Sequence, residues 1–190
     1  MSKEIWKAGN MIYPIPAVMV SCSDKNGKTN IITISWTGTV NTNPAMCYIS
    51  IRPSRFSYDI IKESGEFVIN LTNKELAKAA DWCGVRSGKD YNKFKEMKLT
   101  PTKGKYVDAP LIKEAPVNIE CKVTQIIPLG SHDMFLAEVL AVHADKKLMD
   151  SETNAFLLNE SNLISYIHGA YYESGEKIGK FGFSVEKKKK

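Results

Sequence analysis

Two apolar, β-branched segments lie on either side of a short polar turn near the start of the chain, and this pattern constrains the fold most. The segments are AVMVSCS (residues 17–23) and TNIITISW (residues 29–36), and the turn between them is DKNGK. Asn26 and Gly27 both tolerate positive φ, the backbone conformation that a tight hairpin turn needs. The sequence therefore predicts that the fold begins with two antiparallel strands.

Further strands and short helices are predicted downstream of this hairpin. AMCYISI (residues 45–51) and FVINL (residues 67–71) are strand candidates, and SRFSYDIIKES between them has apolar residues at helical spacing. A serine occupies each candidate N-cap position of that helix, and Gly65 occupies the C′ position. Asn73 can cap a second helix through KELAKAADWCG, and KDYNKFKEM indicates a third. Residues 100–116 are predicted to form a loop with at most one short strand.

The second half of the chain contains two long strand candidates, VNIECKVTQIIPL and MFLAEVLAVHAD, which are joined by GSH. In the second of them Phe135, Ala137 and Val139 alternate with Leu136 and Glu138, as expected for a strand with one buried face. At least six strands with short helices between them favour a closed barrel over an open doubly wound sheet. The predicted fold class is therefore mainly β with short helices.

The composition indicates one globular domain. The chain has 190 residues, of which 43% are hydrophobic and 25% charged, and this length supports one core of good size. We expect a single domain over residues 1–185. No apolar run approaches the roughly 18 residues of a membrane-spanning helix, and the first residues do not resemble a secretory signal. We therefore expect a cytoplasmic protein without a membrane partner.

The net charge of the chain is concentrated at its C-terminus. Leaving out the four terminal lysines lowers the formal net charge from +5 to +1, so the body of the protein is nearly neutral. We expect residues 186–190 to form a basic, solvated and disordered tail. This distribution argues against a nucleic-acid partner.

The four cysteines are widely separated and no C-x-x-C pair is present. Cys22, Cys47, Cys83 and Cys121 also have no histidine at metal-ligand spacing. We expect buried free thiols and no metal site.

A polar segment follows the second strand, and it has two interpretations. Thr33, Ser35, Trp36 and Thr37 lead into a stretch rich in threonine and asparagine. It could be an ordinary strand end whose asparagines form turns. Alternatively, its hydroxyls and amides line a pocket for a flat heteroaromatic ligand, with Trp36 at the edge.

Two clusters of basic and hydroxyl residues favour the pocket. SIRPSRFS contains Arg52 and Ser57 at the start of a predicted helix, where positive charge, hydroxyl donors and free backbone N–H groups suit a phosphate. GVRSGKDYNKF contributes Ser87 and Lys89 on a loop that contains glycine. The two clusters together fit one phosphorylated, ring-bearing ligand.

Two further residues are candidates for contact with such a ligand. His132 lies in the turn between the long strands and titrates near neutral pH, although a lone turn histidine is more often structural. Tyr171 belongs to HGAYYESGEKIGKFGF, which is either an aromatic flap over a pocket or an irregular tail. G-x-G-x-x-G, Walker and G-x-S-x-G motifs are absent, which argues against a Rossmann dinucleotide fold, an NTPase and a serine hydrolase.

Three segments together closely resemble one known family. TISWTGTVNTNPAMCYISIRPSRFSYDIIKESGEFVINL, CGVRSGKDYNKF and GSHDMF occur in this order. They resemble the flavin reductase-like, FMN-binding split-barrel family, and within it the flavoredoxins, from about residue 12 to residue 183. The resemblance implies a split β-barrel, a homodimer, and FMN bound near the subunit interface.

The family pattern assigns roles to individual residues of this chain. The residues that it implies along the isoalloxazine ring and ribityl chain are Thr33, Ser35, Trp36 and Thr37. The resemblance implies that a second group of residues holds the phosphate and the part of the ligand leading to it: Ser50, Arg52, Ser57, Ser87 and Lys89. His132 stands in a Gly-Ser-His turn where relatives often have Gly-Asp-His, so the imidazole is retained without its acidic neighbour. Tyr171 is implied at the ring or at the substrate opening.

The resemblance implies an FMN-dependent oxidoreductase whose flavin accepts electrons from NAD(P)H. The acceptor would be a flavin, a metal complex or a protein, and Trp36 and His132 would shape the reacting face as the catalytic residues. One alternative is an electron-transfer flavoprotein that a partner protein reduces without NAD(P)H. Another, from a different class, is a small basic barrel that binds nucleic acid.

Overall fold

The predicted N-terminal hairpin is confirmed in the computed structural model, which describes residues 1–185. Strand β2 (Val18–Ser23) pairs antiparallel with β3 (Thr29–Ile34). The Gly27 amide donates to the Asp24 carbonyl at 3.0 Å, and Gly27 has a φ of 78°. The predicted basic tail at residues 186–190 lies outside the described residues.

The described residues form twelve strands and three α-helices. The other strands are β1 (Ile15–Pro16), β4 (Thr37–Asn41), β5 (Met46–Ile51), β6 (Glu66–Asn70), β7 (Pro101–Thr102), β8 (Leu111–Ile112), β9 (Val117–Pro128), β10 (Asp133–Ala144), β11 (Ile164–Ile167) and β12 (Ala170–Glu173). The helices are α1 (Phe56–Ser64), α2 (Ala77–Val85) and α3 (Lys93–Glu96). The fold is mainly β with short helices, as predicted. Within residues 1–185, no helix combines the length and apolar character needed to cross a bilayer.

The main sheet has seven strands in the order β3-β2-β6-β9-β10-β5-β4. Its two edge strands, β3 and β4, are consecutive in the chain, and only Ser35 and Trp36 separate them. Because two residues span only about 7 Å, the sheet must curl until its opposite edges meet. Register shifts between Leu136 and Ala137 in the long β9–β10 hairpin add local bending. The curled sheet is the barrel that the sequence predicted.

A separate three-stranded sheet lies beside the barrel and contributes to the site described below. Its order is β1-β11-β12, and β11 and β12 form a hairpin with Gly169 at its turn. Tyr171 therefore lies in this hairpin. Residues 174–180 of the same segment have no regular structure, so the segment is part hairpin and part irregular.

Three local predictions differ from the structure. The threonine- and asparagine-rich stretch from Thr37 was not predicted as a strand, but residues 37–41 form the edge strand β4. Most residues of β4 are exposed, so it shows no alternation of buried and exposed positions. Helix α1 begins after Arg55, which makes no side-chain cap, so the predicted serine cap is wrong. Residues 100–116 contain two short strands, β7 and β8, where at most one was predicted.

The core lies between the curled sheet and α1. Phe67 and Phe135 are fully buried there, together with Ile49 and Ile61. All four cysteines are buried and free, which confirms the expectation from their spacing.

A buried carboxylate fixes the loop that crosses the outside of the sheet. Glu120 is fully buried on β9 and accepts hydrogen bonds from the backbone N–H groups of Lys105, Tyr106 and Val107 at 2.7–2.9 Å. The His143 imidazole pairs with the same carboxylate. Burial alone would raise the pKa of Glu120, but these donors outweigh it and lower the pKa to about 2.

We predict that Glu120→Gln destabilises the fold by about 3 kcal/mol at pH 7, because a hydrogen-bonded buried charge is lost. The folded pKa lies below the usual value of 4.5, so the stabilisation exists above pH 4.5 and is lost as the pH falls towards 2. Urea unfolding at pH 7 and pH 3 measures this. Glu63→Gln, on the exposed face of α1, is the control. The assignment would be contradicted if the difference in unfolding free energy between Glu120→Gln and the unsubstituted protein were the same at pH 7 and pH 3.

Candidate functional site

A cavity of about 410 Å³ opens where the chain crosses between the two edges of the sheet. We call it the ring cavity. Residues 33–36 form one wall and residues 50–52 another, and the Ser50 amide joins the two walls by donating to the Trp36 carbonyl at 2.9 Å. Helix α2, the β11–β12 hairpin, Arg55 and His132 also contribute to the lining.

Helix α2 packs closely against the wall that β3 provides. The Thr33 hydroxyl donates to the Ala80 carbonyl at 2.5 Å, so this hydroxyl is already used within the protein. A Cβ atom at Gly84 would lie 3.2 Å from Thr33 Cβ, which is tighter than normal contact. The small residue at position 84 thus lets α2 approach β3 and form a wall of the cavity.

His132 and Trp36 form an aromatic pair at the edge of the ring cavity. Their ring centroids are 4.5 Å apart, and Trp36 is 38% exposed. The pKa of His132 is lowered by partial burial and by the positive charges of Arg52 and Arg55. The imidazole is therefore neutral at pH 7, with Nδ1 3.0 Å from the Ser131 hydroxyl.

The turn around His132 does not use a carboxylate to orient the ring. The neighbouring Asp133 instead accepts a hydrogen bond from Tyr58 at 2.5 Å, and this contact raises the pKa of Tyr58. The hydroxyl of the preceding residue, Ser131, makes the contact to the imidazole.

A second, smaller cavity of about 80 Å³ adjoins the ring cavity. We call it the small cavity; it shares Arg55 and Gly84 with the ring cavity. Lys93 lies in its lining and is only 4% exposed, and its Nζ donates to the Cys83 carbonyl at 2.7 Å. Burial lowers the pKa of Lys93. An ammonium group has three N–H donors, and the described residues accept one of them.

The rest of the small cavity is polar and closely packed. Ser57 Oγ accepts a hydrogen bond from Asn30 Nδ2 at 2.8 Å, and both residues are buried. A Cβ atom at Gly88 would lie 2.2 Å from Asn30 Oδ1 and 2.6 Å from Phe56 Cδ1. Only glycine fits there, so the backbone of the loop that carries Ser87 closes tightly against the barrel.

The structure brings most of the predicted site residues together. Those that line the ring cavity are Thr33, Ser35, Trp36, Ser50, Arg52, His132 and Tyr171. Ser57 and Ser87 line the small cavity.

Two predicted residues lie elsewhere. Thr37 lines a separate apolar cavity on the other side of Trp36, and its hydroxyl donates to the Tyr48 carbonyl at 2.6 Å. Lys89 lines an open cleft beside the start of α1. Neither residue reaches the ring cavity or the small cavity.

Lys93, Asn30 and Asp81 are among the lining residues of the two cavities to which the sequence assigned no site role. Lys93 was treated only as part of a short helix, although a lysine directly before a buried aromatic residue is a weak signal for burial. Asn30 lies inside a strand that was interpreted as apolar. Asp81 had no local signal, because it reaches the ring cavity only through the packing of α2.

The β11–β12 hairpin is tied to α2 across the ring cavity. The Tyr171 hydroxyl donates to Asp81 Oδ1 at 3.2 Å, and the Tyr171 ring packs against Tyr166 at 5.4 Å. Burial and the Asp81 charge raise the pKa of Tyr171 to about 12. Tyr171 therefore keeps its proton at neutral pH and acts as a donor.

The two cavities fit one elongated ligand with a planar polar ring and a terminal anion. The ring cavity has hydroxyl groups, a neutral imidazole and two arginines, and the small cavity has a buried ammonium with unused donors. A volume of about 80 Å³ leaves room for a group larger than one water and suits a group as small as a phosphate. The residues present therefore suit a flavin mononucleotide.

Comparisons with known proteins agree with this geometry. The model of the family described as "Flavin reductase like domain" matches residues 10–173. An uncharacterised protein of Archaeoglobus fulgidus is 32% identical over 146 residues, which is 76% of this chain and 81% of the relative. The NADPH-flavin oxidoreductase of Streptomyces viridifaciens is 26% identical over 112 residues, 57% of this chain and 56% of the relative.

Solved structures show the same architecture. The flavoredoxin of Desulfovibrio vulgaris (Miyazaki F) superposes with a TM-score of 0.90 at 28% identity, covering 97% of this chain and 100% of the other. A protein with a split barrel domain from Shewanella frigidimarina has a TM-score of 0.79 at 23% identity, covering 88% of this chain and 85% of the other. Since the family match also extends over most of the chain, from the first strand to the hairpin that bounds the ring cavity, this protein belongs to the flavin reductase-like family and has its split-barrel fold.

Proposed function

We propose that the protein is an FMN-dependent oxidoreductase of the flavin reductase and flavoredoxin type. The observation that carries this proposal is the junction of a ring-sized cavity with a phosphate-sized cavity that contains a buried lysine. When bound, FMN supplies the redox chemistry, because its ring accepts and releases electrons. The protein supplies binding, orientation and electrostatics.

The phosphate of FMN would bind in the small cavity. Lys93 and Arg55 carry the compensating positive charge, and the hydroxyls of Ser57 and Ser87 add hydrogen bonds. The small cavity has a volume of about 80 Å³, which suits a terminal phosphate better than a second phosphate and a nucleoside. This size favours FMN over a longer flavin nucleotide.

The isoalloxazine ring would bind in the ring cavity, against residues 33–36 and 50–52. Trp36 and the neutral His132 lie together at its edge and would exclude water from that side. Because the imidazole is neutral, its free nitrogen can accept or donate a hydrogen bond without adding charge to the site.

NAD(P)H is the proposed electron donor, and the acceptor is a flavin, a metal complex or a protein. The likeness to an NADPH-flavin oxidoreductase supports a nicotinamide donor. The stronger structural likeness to a flavoredoxin supports a second candidate, an electron carrier that a partner protein reduces. Both candidates use the same flavin site.

We also propose a homodimer. Large apolar side chains near both ends of the described chain are open to solvent: Trp6 is 72% exposed, Ile178 94% and Phe181 108%. A second copy that covers these side chains would remove this apolar surface from water.

The homodimer predicts a doubled mass in sedimentation equilibrium at micromolar concentration. Trp6→Ser combined with Phe181→Ser should weaken self-association, since both side chains would lose apolar contact. Val142→Ser, a change of an exposed apolar residue on β10, serves as the control. A protein that remains a monomer before substitution would contradict the proposal.

For the cofactor, we predict that Lys93→Met weakens FMN binding roughly 10- to 100-fold, because one charge-assisted hydrogen bond contributes about 1.5–3 kcal/mol. Titration of FMN fluorescence at fixed ionic strength measures the affinity. Lys89→Met removes the same charge four residues earlier but outside the small cavity, and should change the affinity less than about threefold. Equal losses in the two variants would contradict the phosphate assignment. Failure of the unsubstituted protein to bind FMN would refute the proposed function.

For the donor, we expect NADH or NADPH to bleach the visible absorbance of the bound flavin under anaerobic conditions. The measurement is stopped-flow absorbance after mixing with each nucleotide. If neither nucleotide bleaches the flavin while a reduced iron–sulfur electron carrier does, the electron-carrier candidate replaces the reductase.

A further inference from the structure

The charges that line the ring cavity are unevenly distributed. Arg52 and Arg55 contribute positive charge from the loop that follows β5, and His132 beside them is neutral. Asp81 lies in the wall that α2 forms. Among the lining residues in the described part of the chain, it is the one carboxylate, and neither the family resemblance nor the motifs assign it a role.

The packing of α2 fixes the direction of Asp81. The carbonyl of the preceding residue, Ala80, accepts the Thr33 hydroxyl, which anchors this turn of the helix to β3. Gly84 and Val85 follow Asp81 by three and four residues and also line the ring cavity. Residues at this spacing share one face of a helix, so Asp81 belongs to the face that α2 turns towards the cavity.

The carboxylate is also held from the opposite side. The hydroxyl of Tyr171, on the β11–β12 hairpin, donates to Asp81 Oδ1 at 3.2 Å. Tyr171 lines the same cavity. This contact occupies one lone pair of one oxygen, and a carboxylate has about four acceptor positions. Asp81 thus keeps most of its acceptor capacity at the edge of the cavity.

A fixed negative charge at this place changes the energy of flavin reduction. Reduction adds two electrons and one proton to the ring, which then carries one extra negative charge, or two electrons and two protons, which leave it neutral but richer in electrons. A carboxylate close by disfavours the added electron density by Coulomb repulsion. The Asp81 side chain is exposed at the edge of the cavity, and a flavin that covers it would reduce the screening of this repulsion by solvent. The arginines act in the opposite direction.

We propose that Asp81 lowers the reduction potential of the bound flavin and thereby makes the reduced protein a stronger electron donor. This inference rests on the proposed function, since it requires a flavin in the ring cavity. Asp81 would contact the cofactor directly, and Tyr171 would be the residue that positions it.

The test is the midpoint potential of the FMN-loaded protein at pH 7. Dithionite supplies the electrons anaerobically and is oxidised to sulfite, while a dye of known potential reports the equilibrium. Asp81→Asn preserves the size of the side chain and removes the charge. Asp59→Asn is the matched control, because it makes the same charge change on an exposed position of α1 outside the ring cavity.

We expect Asp81→Asn to increase the ratio of reduced to oxidised flavin at a fixed potential by at least tenfold, a rise of about 30 mV for a two-electron couple. The control should change this ratio less than twofold. Asp81→Ser, which also removes the charge, should raise the potential in the same direction and guards against an effect specific to asparagine.

Several outcomes would overturn the inference. An unchanged or lowered potential in Asp81→Asn contradicts it, and so do equal shifts in Asp81→Asn and Asp59→Asn. Loss of FMN binding in both Asp81 variants would make Asp81 a residue needed for binding and not one that sets the potential. In these cases the unsubstituted protein still binds FMN, so the proposed function stands; if it takes up no FMN, the proposed function itself fails.

Discussion

The two-residue connection between β3 and β4 is the constraint on which the rest of the structure depends. It joins opposite edges of a seven-stranded sheet, so the sheet has to curl, and the Ser50 amide then bonds to the Trp36 carbonyl across the join. The same crossing exposes the backbone and hydroxyls of residues 33–36 beside residues 50–52. The closure of the barrel and the walls of the ring cavity therefore have one common cause.

The electrostatics of the site follow from this closure. His132 is held neutral because partial burial and two arginines oppose its protonation. Lys93 is buried beside a cavity that fits an anion, and its burial disfavours the charged form until an anion is present. A bound phosphate would therefore stabilise the charged form of Lys93, and the ammonium would in turn stabilise the bound phosphate, because the two opposite charges compensate each other away from bulk water.

Much of the fold could be predicted from the sequence because the signals were local. The Asn-Gly turn and the β-branched segments beside it predicted the first hairpin, and Gly65 predicted the end of α1, where it has a φ of 68°. Strand β4 was missed because an exposed edge strand needs no apolar alternation. The serine cap was wrong because Arg55 occupies the N-cap position without a side-chain bond, while Ser57 turns inward to Asn30. Asp81 and Lys93 were missed because tertiary packing alone brings them to the cavities.

The buried Glu120 has a consequence for how the protein chooses its ligand. The backbone N–H groups of residues 105–107 form a cradle that could hold any small anion, and the chain saturates it permanently with its own carboxylate. A free phosphate could bind these N–H groups only by displacing the Glu120 carboxylate, which is part of the same chain and therefore has a very high effective concentration. The chain thus occupies this cradle with its own carboxylate, and the proposed phosphate would instead use the unshared donors of Lys93.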